Sequence, residues 1–503
     1  MMKVGLLISG LIASVAMANE KPNIVFIYAD DMGYGDVEYL NPERGKIKTP
    51  RLDQLAREGM VFTDAHTSSS VCTPSRYSLL TGRYNWRTEM QSGVCLGYGK
   101  PLIAEETLTV GEVLQGSGYH TGMVGKWHLG MYFPTTDGQQ AKEYRVSNMR
   151  NIDWAGEIMR GPRDTGFDYY WGISASLDMP PYIYIEDRKF IGECTTQKAF
   201  KRKGLAHADF EAVDVLDDFV THAKKYIARQ SKEKPFFLYV PLTSPHTPIV
   251  PTKQWEGKSG INHYADFQMM TDDIIGQIVD AIDAAGFKEN TLIIVSSDNG
   301  CSKAANFKQL EEAGHYASAQ YRGSKADLWE GGHRVPFIVR WPQAVKAGSQ
   351  CDETICLTDL LATCADLSGY EVPSDQAGDS VSFLPALKGQ PIQSSRKGII
   401  SHSISGHFAY RMGDWKLMLA RGSGGWTMPI ERKVSAEAPE AQLYNLAEEP
   451  GETHNLYQSH PEKAAELLAQ LQADVANGRS TAGPQLKNDI PTDEIKLWKN
   501  RAR

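Results

Sequence analysis

The 503-residue chain lacks features that would place it in several large classes at once. It has no charge-free apolar run of about 20 residues, so no membrane-spanning helix and no stable membrane insertion is expected. It has no excess of positive charge: 53 Lys and Arg against 61 Asp and Glu give a net charge of −8. Without a basic footprint for a phosphate backbone, nucleic acid is not an expected partner. It has no internal repeat or low-complexity tract, and 41% hydrophobic with 23% charged residues excludes a disordered, collagenous or coiled-coil chain. Cysteine is scarce. The seven residues Cys72, Cys95, Cys194, Cys301, Cys351, Cys356 and Cys364 show no CxxC zinc spacing.

At the N-terminus, Lys3 precedes an apolar run over residues 4–15 that ends in Ala16-Met17-Ala18. This is the pattern of a cleavable secretory signal with cleavage after Ala18, and it predicts a periplasmic or secreted protein. In an oxidising compartment an odd cysteine count leaves one thiol over, and one or two disulfides are expected among the rest, with the pairing open.

Hydrophobic periodicity alternates strands with helices. Residues 22–29 (PNIVFIYA) form a near-continuous apolar run, as in a parallel strand buried on both faces. Thr49-Pro50 opens a helix with Leu52, Leu55 and Ala56 on one face, closed by Gly59. Leu216, Phe219, Val220, Ala223 and Ile227 mark an amphipathic helix before the strand 235–240. Phe267, Met270, Ile274, Ile275, Ile278 and Ile282 mark another before the strand 291–297. This order predicts an α/β fold, a large doubly wound mixed or parallel sheet flanked by helices. Residues 133–208, polar and aromatic with few periodic runs, read as inserted loops. Short strands around Gly413-Asp414 and a helix carrying Ala464, Leu467, Leu468, Leu471 and Val475 predict a smaller C-terminal α+β subdomain, an antiparallel sheet plus helix. The expected division is a signal at 1–18, a main α/β domain at 19–375 and the subdomain at 376–503.

In doubly wound sheets ligands bind beyond the carboxyl ends of the strands. Those positions hold Asp30-Asp31, Lys126-Trp127-His128, His246 and Asp298-Asn299. Asp30, Asp31, Asp298 and Asn299 offer only hard oxygen donors, which suit Ca²⁺ or Mg²⁺, although Asp and Asn also serve simply to cap turns. Cys72 opens a short helical run with Pro74 in its first turn. A helix N-terminus lowers a thiol pKa, and Arg76, four residues on, lies on the same side to hold an anion. The alternative for Cys72 is a buried structural or disulfide cysteine.

With these residues in view, the chain resembles the formylglycine-dependent type I sulfatases, arylsulfatase A-like enzymes of the alkaline phosphatase superfamily. The C-x-P-S-R core at Cys72 to Arg76 with its trailing Leu79-Leu80-Thr81-Gly82 carries the resemblance, as does Gly125-Lys126-Trp127-His128-Leu129-Gly130. Supporting pieces are Ser244-Pro245-His246-Thr247-Pro248, Asp298-Asn299-Gly300, Lys325 with Glu330-Gly331-Gly332, and Leu443-Tyr444-Asn445-Leu446. The resemblance implies an alkaline phosphatase-like fold. It implies oxidation of Cys72 to formylglycine (3-oxoalanine) by a maturation enzyme, which explains the odd cysteine. It also implies one Ca²⁺ held by Asp30, Asp31, Asp298, Asn299 and modified Cys72.

The catalytic set implied is Cys72, Arg76, Lys126, His128, His246 and Lys325. His246, or Lys325 beside it, protonates the leaving oxygen, and His128 takes the later proton. The substrate implied is a sulfated oligosaccharide, with galactose or N-acetylgalactosamine 6-sulfate as the nearest type. Kept beside it are an aryl sulfatase, a phosphate or phosphonate monoester hydrolase, and a calcium-dependent glycan-binding protein with unmodified Cys72. Tyr182, Trp171 and Asp178 are candidates for a sugar subsite, although aromatics in insertions more often pack. His315, His333, His402 and His407 lie in or near segments within reach of the pocket, although a lone loop histidine is more often a surface residue than a functional one.

Overall fold

The computed structural model describes residues 21–139, 141 and 151–496; the expected signal at 1–18 lies outside them. The first strand, β1 (Asn23–Asp30), is buried almost throughout. Its alternation builds two layers: Ile24, Phe26 and Tyr28 enter one core, and Val25, Ile27 and Ala29 enter the other. In chain order there follow α1 (Pro50–Glu58), β2 (Met60–Phe62), α2 (Cys72–Thr81), α3 (Val110–Gly116), β3 (His120–Lys126), β4 (Tyr169–Ile173), β5 (Ile185–Glu186) and β6 (Lys189–Phe190). Then come α4 (Val215–Ala228), β7 (Phe236–Pro245), α5 (His263–Ala284), β8 (Thr291–Ser297), β9 (Phe337–Arg340), β10 (Ser349–Cys351) and α6 (Leu360–Ser368).

The ten strands form one sheet in the order β10-β2-β9-β8-β1-β7-β3-β4-β5-β6. Its centre, β8-β1-β7-β3-β4, is parallel, while β9 and β5 pair antiparallel on either side. Helices α2, α3 and α6 cover one face and α1, α4 and α5 the other. On α5, Phe267, Met270, Ile274, Ile275, Ile278 and Ile282 all enter the second core, each stabilising it by ~1.5–3 kcal/mol. The α1 N-terminus is capped from α5, where the Asp272 carboxylate accepts from the backbone N–H groups of Arg51 at 3.0 Å and Leu52 at 2.8 Å.

The stretch 133–208 differs from the expected loops. It supplies β4, a parallel strand of the main sheet, and two hairpins. Trp171 is buried on β4 and stacks on His222 and Tyr184, while Tyr182 is buried against Phe200 and Phe210. Both rings are therefore packing residues and not sugar platforms.

A separate antiparallel sheet is built from β11 (Ile399–His402), β12 (Phe408–Met412), β13 (Trp415–Met418) and β14 (Gln442–Asn445). Helix α7 (Pro461–Ala476) lays Leu467, Leu471 and Val475 into the core that Tyr410 and Leu417 line. A buried charge network joins this sheet to the large one. Glu330 meets Lys416 and Arg334 at 2.9 Å each, Glu452 meets Lys416 at 2.8 Å, and Asp64 meets Arg334 at 2.6 Å and Arg411 at 2.7 Å. His66 and His333 touch through their Nδ1 atoms at 3.0 Å within it.

Two further expectations are corrected. His315, His333 and His402 are buried rather than on the surface. Cys72, Cys194, Cys301, Cys351, Cys356 and Cys364 are free thiols, so the one or two disulfides are not formed. Large cores on both sheet faces supply the stability that small secreted domains draw from cross-links.

Candidate active site

The site lies where the parallel strands end. Asp30 closes β1, Lys126 closes β3, His246 follows β7 and Asp298 follows β8. Two of the exits turn sharply, with Asp31 at φ 69° and His128 at φ 61°, a region non-glycine residues seldom enter. The Asp298-Asn299-Gly300 turn packs tightly on Glu330-Gly331-Gly332. A Cβ on Gly300 would come within 1.8 Å of the Gly331 carbonyl oxygen, so only glycine fits.

The carboxylates converge with three cations. Lys126 Nζ lies 2.5 Å from Asp30 Oδ2, and Lys325 Nζ lies 2.5 Å from Asp31 Oδ1. Arg76 donates through Nη2 at 2.7 Å and Nε at 3.1 Å to Asp298 Oδ2. Arg76 is therefore engaged with a carboxylate rather than left free for an anion. Lys325 Nζ is also 3.6 Å from Cys72 Sγ. Candidate ligand atoms of Asp30, Asp31 and Asp298 all lie within 4.8 Å of one another, and so do those of Asp30, Cys72 and His246.

Two buried oxygens in this cluster, Asp30 Oδ1 and Asn299 Oδ1, have no hydrogen-bond partner. Unpaired buried acceptors are costly, and an all-oxygen set around them fits a hard divalent cation. The amide of Asn299 is oriented for this, because its Nδ2 donates to Asp31 Oδ1 at 2.7 Å and to the Gly300 carbonyl at 2.9 Å. His66, Glu330 and His333 also come together, but Lys416 and Arg334 already hold Glu330.

The electrostatics follow from burial and neighbours. Burial alone would raise the Asp30 carboxyl, but Lys126, His246, Arg76 and Lys325 hold it well below the usual range. Burial and the nearby Asp30 push Asp298 up to about 7. Burial pushes the Cys72 thiol up to about 11 in spite of Lys126 and Lys325. This corrects the expectation of a lowered thiol pKa, since loss of solvent outweighs the helix terminus.

The two histidines are held in distinct ways. His128 Nε2 lies 2.8 Å from the Cys95 carbonyl oxygen, to which it donates, so Nδ1 carries the lone pair. That Nδ1 is buried without a partner. Burial, Lys126 and Arg76 hold the ring neutral by lowering its pKa strongly. Thr73 links this ring to the start of α2 by donating to the His128 carbonyl at 3.1 Å and accepting from the Cys95 N–H at 3.1 Å. His246 Nδ1 donates to the Thr247 carbonyl at 2.6 Å, and its Nε2 faces Asp31 Oδ2 at 3.7 Å. Its pKa is lowered, by burial first and then by Lys325.

The structure thus brings Cys72, Arg76, Lys126, Lys325 and His246 together with Asp30, Asp31, Asp298 and Asn299, and ties His128 to the same helix start. Sequence reasoning missed Ser176, whose Oγ lies 3.4 Å from His246 Nδ1 just beyond β4. Recognising 169–173 as a strand would have directed attention to its exit. Asp178, two residues on, is buried and paired with Arg202.

Residues 22–370 match the sulfatase family, and residues 324–481 match the family described as N-sulphoglucosamine sulphohydrolase, C-terminal. An N-acetylgalactosamine-6-O-sulfatase of Bacteroides thetaiotaomicron is 31% identical over 90% of this chain and 93% of its own length. Human arylsulfatase A is 32% identical over 90% and 86%. A solved structure from a Bacteroides thetaiotaomicron locus for metabolism of multiple glycosaminoglycans superposes with a TM-score of 0.78 at 30% identity, covering 90% of this chain and 99% of that one. The phosphonate monoester hydrolase of Agrobacterium radiobacter shares the fold, with a TM-score of 0.59 at 17% identity over 91% of this chain and 96% of that one.

Proposed function

The chain belongs to the sulfatase family and is a sulfuric ester hydrolase, and on that premise we propose that it removes sulfate from carbohydrate. Oligosaccharides of sulfated polysaccharides, with galactose or N-acetylgalactosamine 6-sulfate as the leading units, are the proposed substrates. The likeness to an N-acetylgalactosamine-6-O-sulfatase supports this choice. The proposed setting is the periplasm or the exterior, reached through the signal at 1–18. Among the described residues no helix is long and apolar enough to cross a membrane.

The observation that carries the proposal is the meeting, at the strand exits, of the oxygen cluster with Cys72 and Lys325. Cys72 oxidised to formylglycine would supply, as its hydrate, a hydroxyl nucleophile, and Asp30, Asp31, Asp298 and Asn299 would hold a Ca²⁺ whose charge would favour loss of that hydroxyl's proton. Lys126 and Lys325 reach the same cluster and stabilise negative charge on the transferred group, while Arg76, held on Asp298, fixes that carboxylate in place. His246 serves as the acid: as imidazolium it keeps Nδ1–H on Thr247 and offers Nε2–H to the leaving oxygen, and its lowered pKa lets that proton go readily. His128 serves as the base, because the Cys95 carbonyl fixes its tautomer and leaves Nδ1 able to accept a proton.

The test has two parts. Release of sulfate and of phosphate is compared from esters of the same aryl alcohol, and faster phosphate release would overturn the sulfate assignment. Mass spectrometry of the tryptic peptide 58–76 reads the state of Cys72, and Cys72→Ala is expected to abolish turnover with the fold intact. Substantial activity in that variant would exclude the formylglycine nucleophile.

A further inference from the structure

The segments of chain that follow Asn299 and Lys325 meet at one exposed indole. Lys303 follows Asn299 by four residues, and its Nζ lies 4.9 Å from the centroid of the Trp426 ring. Asp327 follows Lys325 by two residues, a span of at most ~7 Å. Its Oδ1 accepts from the backbone N–H groups of Trp426 at 2.8 Å and Thr427 at 3.0 Å. Ser324 Oγ is 3.2 Å from Thr427 Oγ1. Trp426 is thereby fastened to the loop that aims Lys325 at Cys72. A Cβ on Gly425 would stand 2.1 Å from the Ala326 carbonyl oxygen, so the approach of the two loops requires glycine.

The loop that carries the indole is braced from within. The Glu431 carboxylate accepts from the N–H groups of Arg421 at 3.0 Å, Gly422 at 2.8 Å and Gly424 at 3.2 Å, and Ser423 N–H donates to the Pro429 carbonyl at 2.9 Å. Despite this order, Trp426 is 38% exposed and Met428 55% exposed. A large apolar ring on a braced loop, partly open to water and with a lysine over one of its faces, is an arrangement for a ligand that brings an apolar face to the ring and a negative substituent to the lysine. Two exposed side chains are far too little for a stable protein interface, which buries ~1,200–2,000 Å².

We propose that Trp426 and Lys303 form a second sugar subsite at the mouth of the pocket. The indole receives the C–H face of the pyranose next to the one whose sulfate is cleaved, and Lys303 pairs with that neighbour's carboxylate or sulfate. The subsite rests on the carbohydrate reading above and adds what lies beside the scissile unit: an anionic neighbour on an aromatic platform.

The test measures kcat/KM for an aryl sulfate, a sulfated trisaccharide with neutral neighbours, and the same trisaccharide with a carboxylated or doubly sulfated neighbour. Trp426→Ala is expected to lower the trisaccharide-to-aryl ratio roughly 3- to 10-fold, through KM, with Trp426→Phe restoring most of it. Lys303→Ala is expected to lower the anionic-to-neutral trisaccharide ratio by a similar factor, less so at high salt. Ratios that stay put in both variants, or an equal loss on every substrate, would overturn the subsite. A wild-type enzyme that cleaves aryl sulfate but no sulfated saccharide would instead overturn the carbohydrate reading beneath it.

Discussion

Arg76, Lys126 and Lys325 bring three positive charges to Asp30, Asp31 and Asp298. The three cations match the three carboxylates in number, and an added divalent cation gives the pocket the sign an anionic ester needs. Chelation is therefore expected to lower kcat/KM for a sulfate ester roughly 10²-fold or more and to lower the melting temperature, with calcium restoring both. Unchanged rates and melts in chelator would remove the cation from the proposal. Lys126→Ala and His246→Ala are each expected to lower kcat roughly 10²-fold, and near wild-type turnover would remove the residue from the site. At this scale the sequence was legible in placement, since the charged side chains of the dense motifs do converge. The carbonyl of Cys95, which selects the His128 tautomer, left no trace, because a backbone oxygen has no residue identity. The Cys72 thiol was misjudged because burial, which outweighs the helix terminus, depends on what packs over it from elsewhere in the chain.

Helix α1 has only nine residues and depends on tertiary contacts for its stability. Its first-turn N–H groups, which have no partner within the helix, are held by Asp272, a carboxylate that burial raises to about 7. Asp272→Ala is expected to cost about 1–2 kcal/mol in denaturant unfolding. The pH dependence has a definite sign. A carboxyl whose folded pKa lies above its unfolded value contributes stability below about pH 4 that is lost as pH rises through about 7. Asp272→Asn should flatten that fall, and equal slopes in both proteins would show that the group does not titrate there. The strands 22–29, 235–240 and 291–297 were readable because a strand buried on both faces is uniformly apolar. Strand β4 was not, since Tyr169-Tyr170-Trp171-Gly172-Ile173 is short, aromatic and surrounded by polar sequence, and its partner β3 lies far away in the chain.

The buried network that joins the two sheets has the same economy of charge as the pocket. Glu330 balances Lys416 from one unit and Arg334 from the other. Glu330→Gln leaves buried cations short of a partner and is expected to cost ~3–5 kcal/mol. Adding Lys416→Met to it should cost less than the sum of the two single changes, and strict additivity would show that the pair does not interact. The overall α/β architecture and the small C-terminal sheet were legible from periodicity and order. Their joint was not, because Asp64, His66, Glu330, Arg411 and Lys416 look like solvated surface residues until the two units meet.

The central strand also sets a timetable. Ile24 lies beside Phe237 on one side and Leu292 on the other. A ribosome adding about 5–20 residues per second delivers Asp298 more than ten seconds after Asp30 and Asp31. Until then the two aspartates wait without their third partner, and Cys72 rides on an unfinished chain. In the complete fold Cys72 is only 3% exposed. The proposed oxidation of Cys72 therefore belongs to the time before the chain has closed over it.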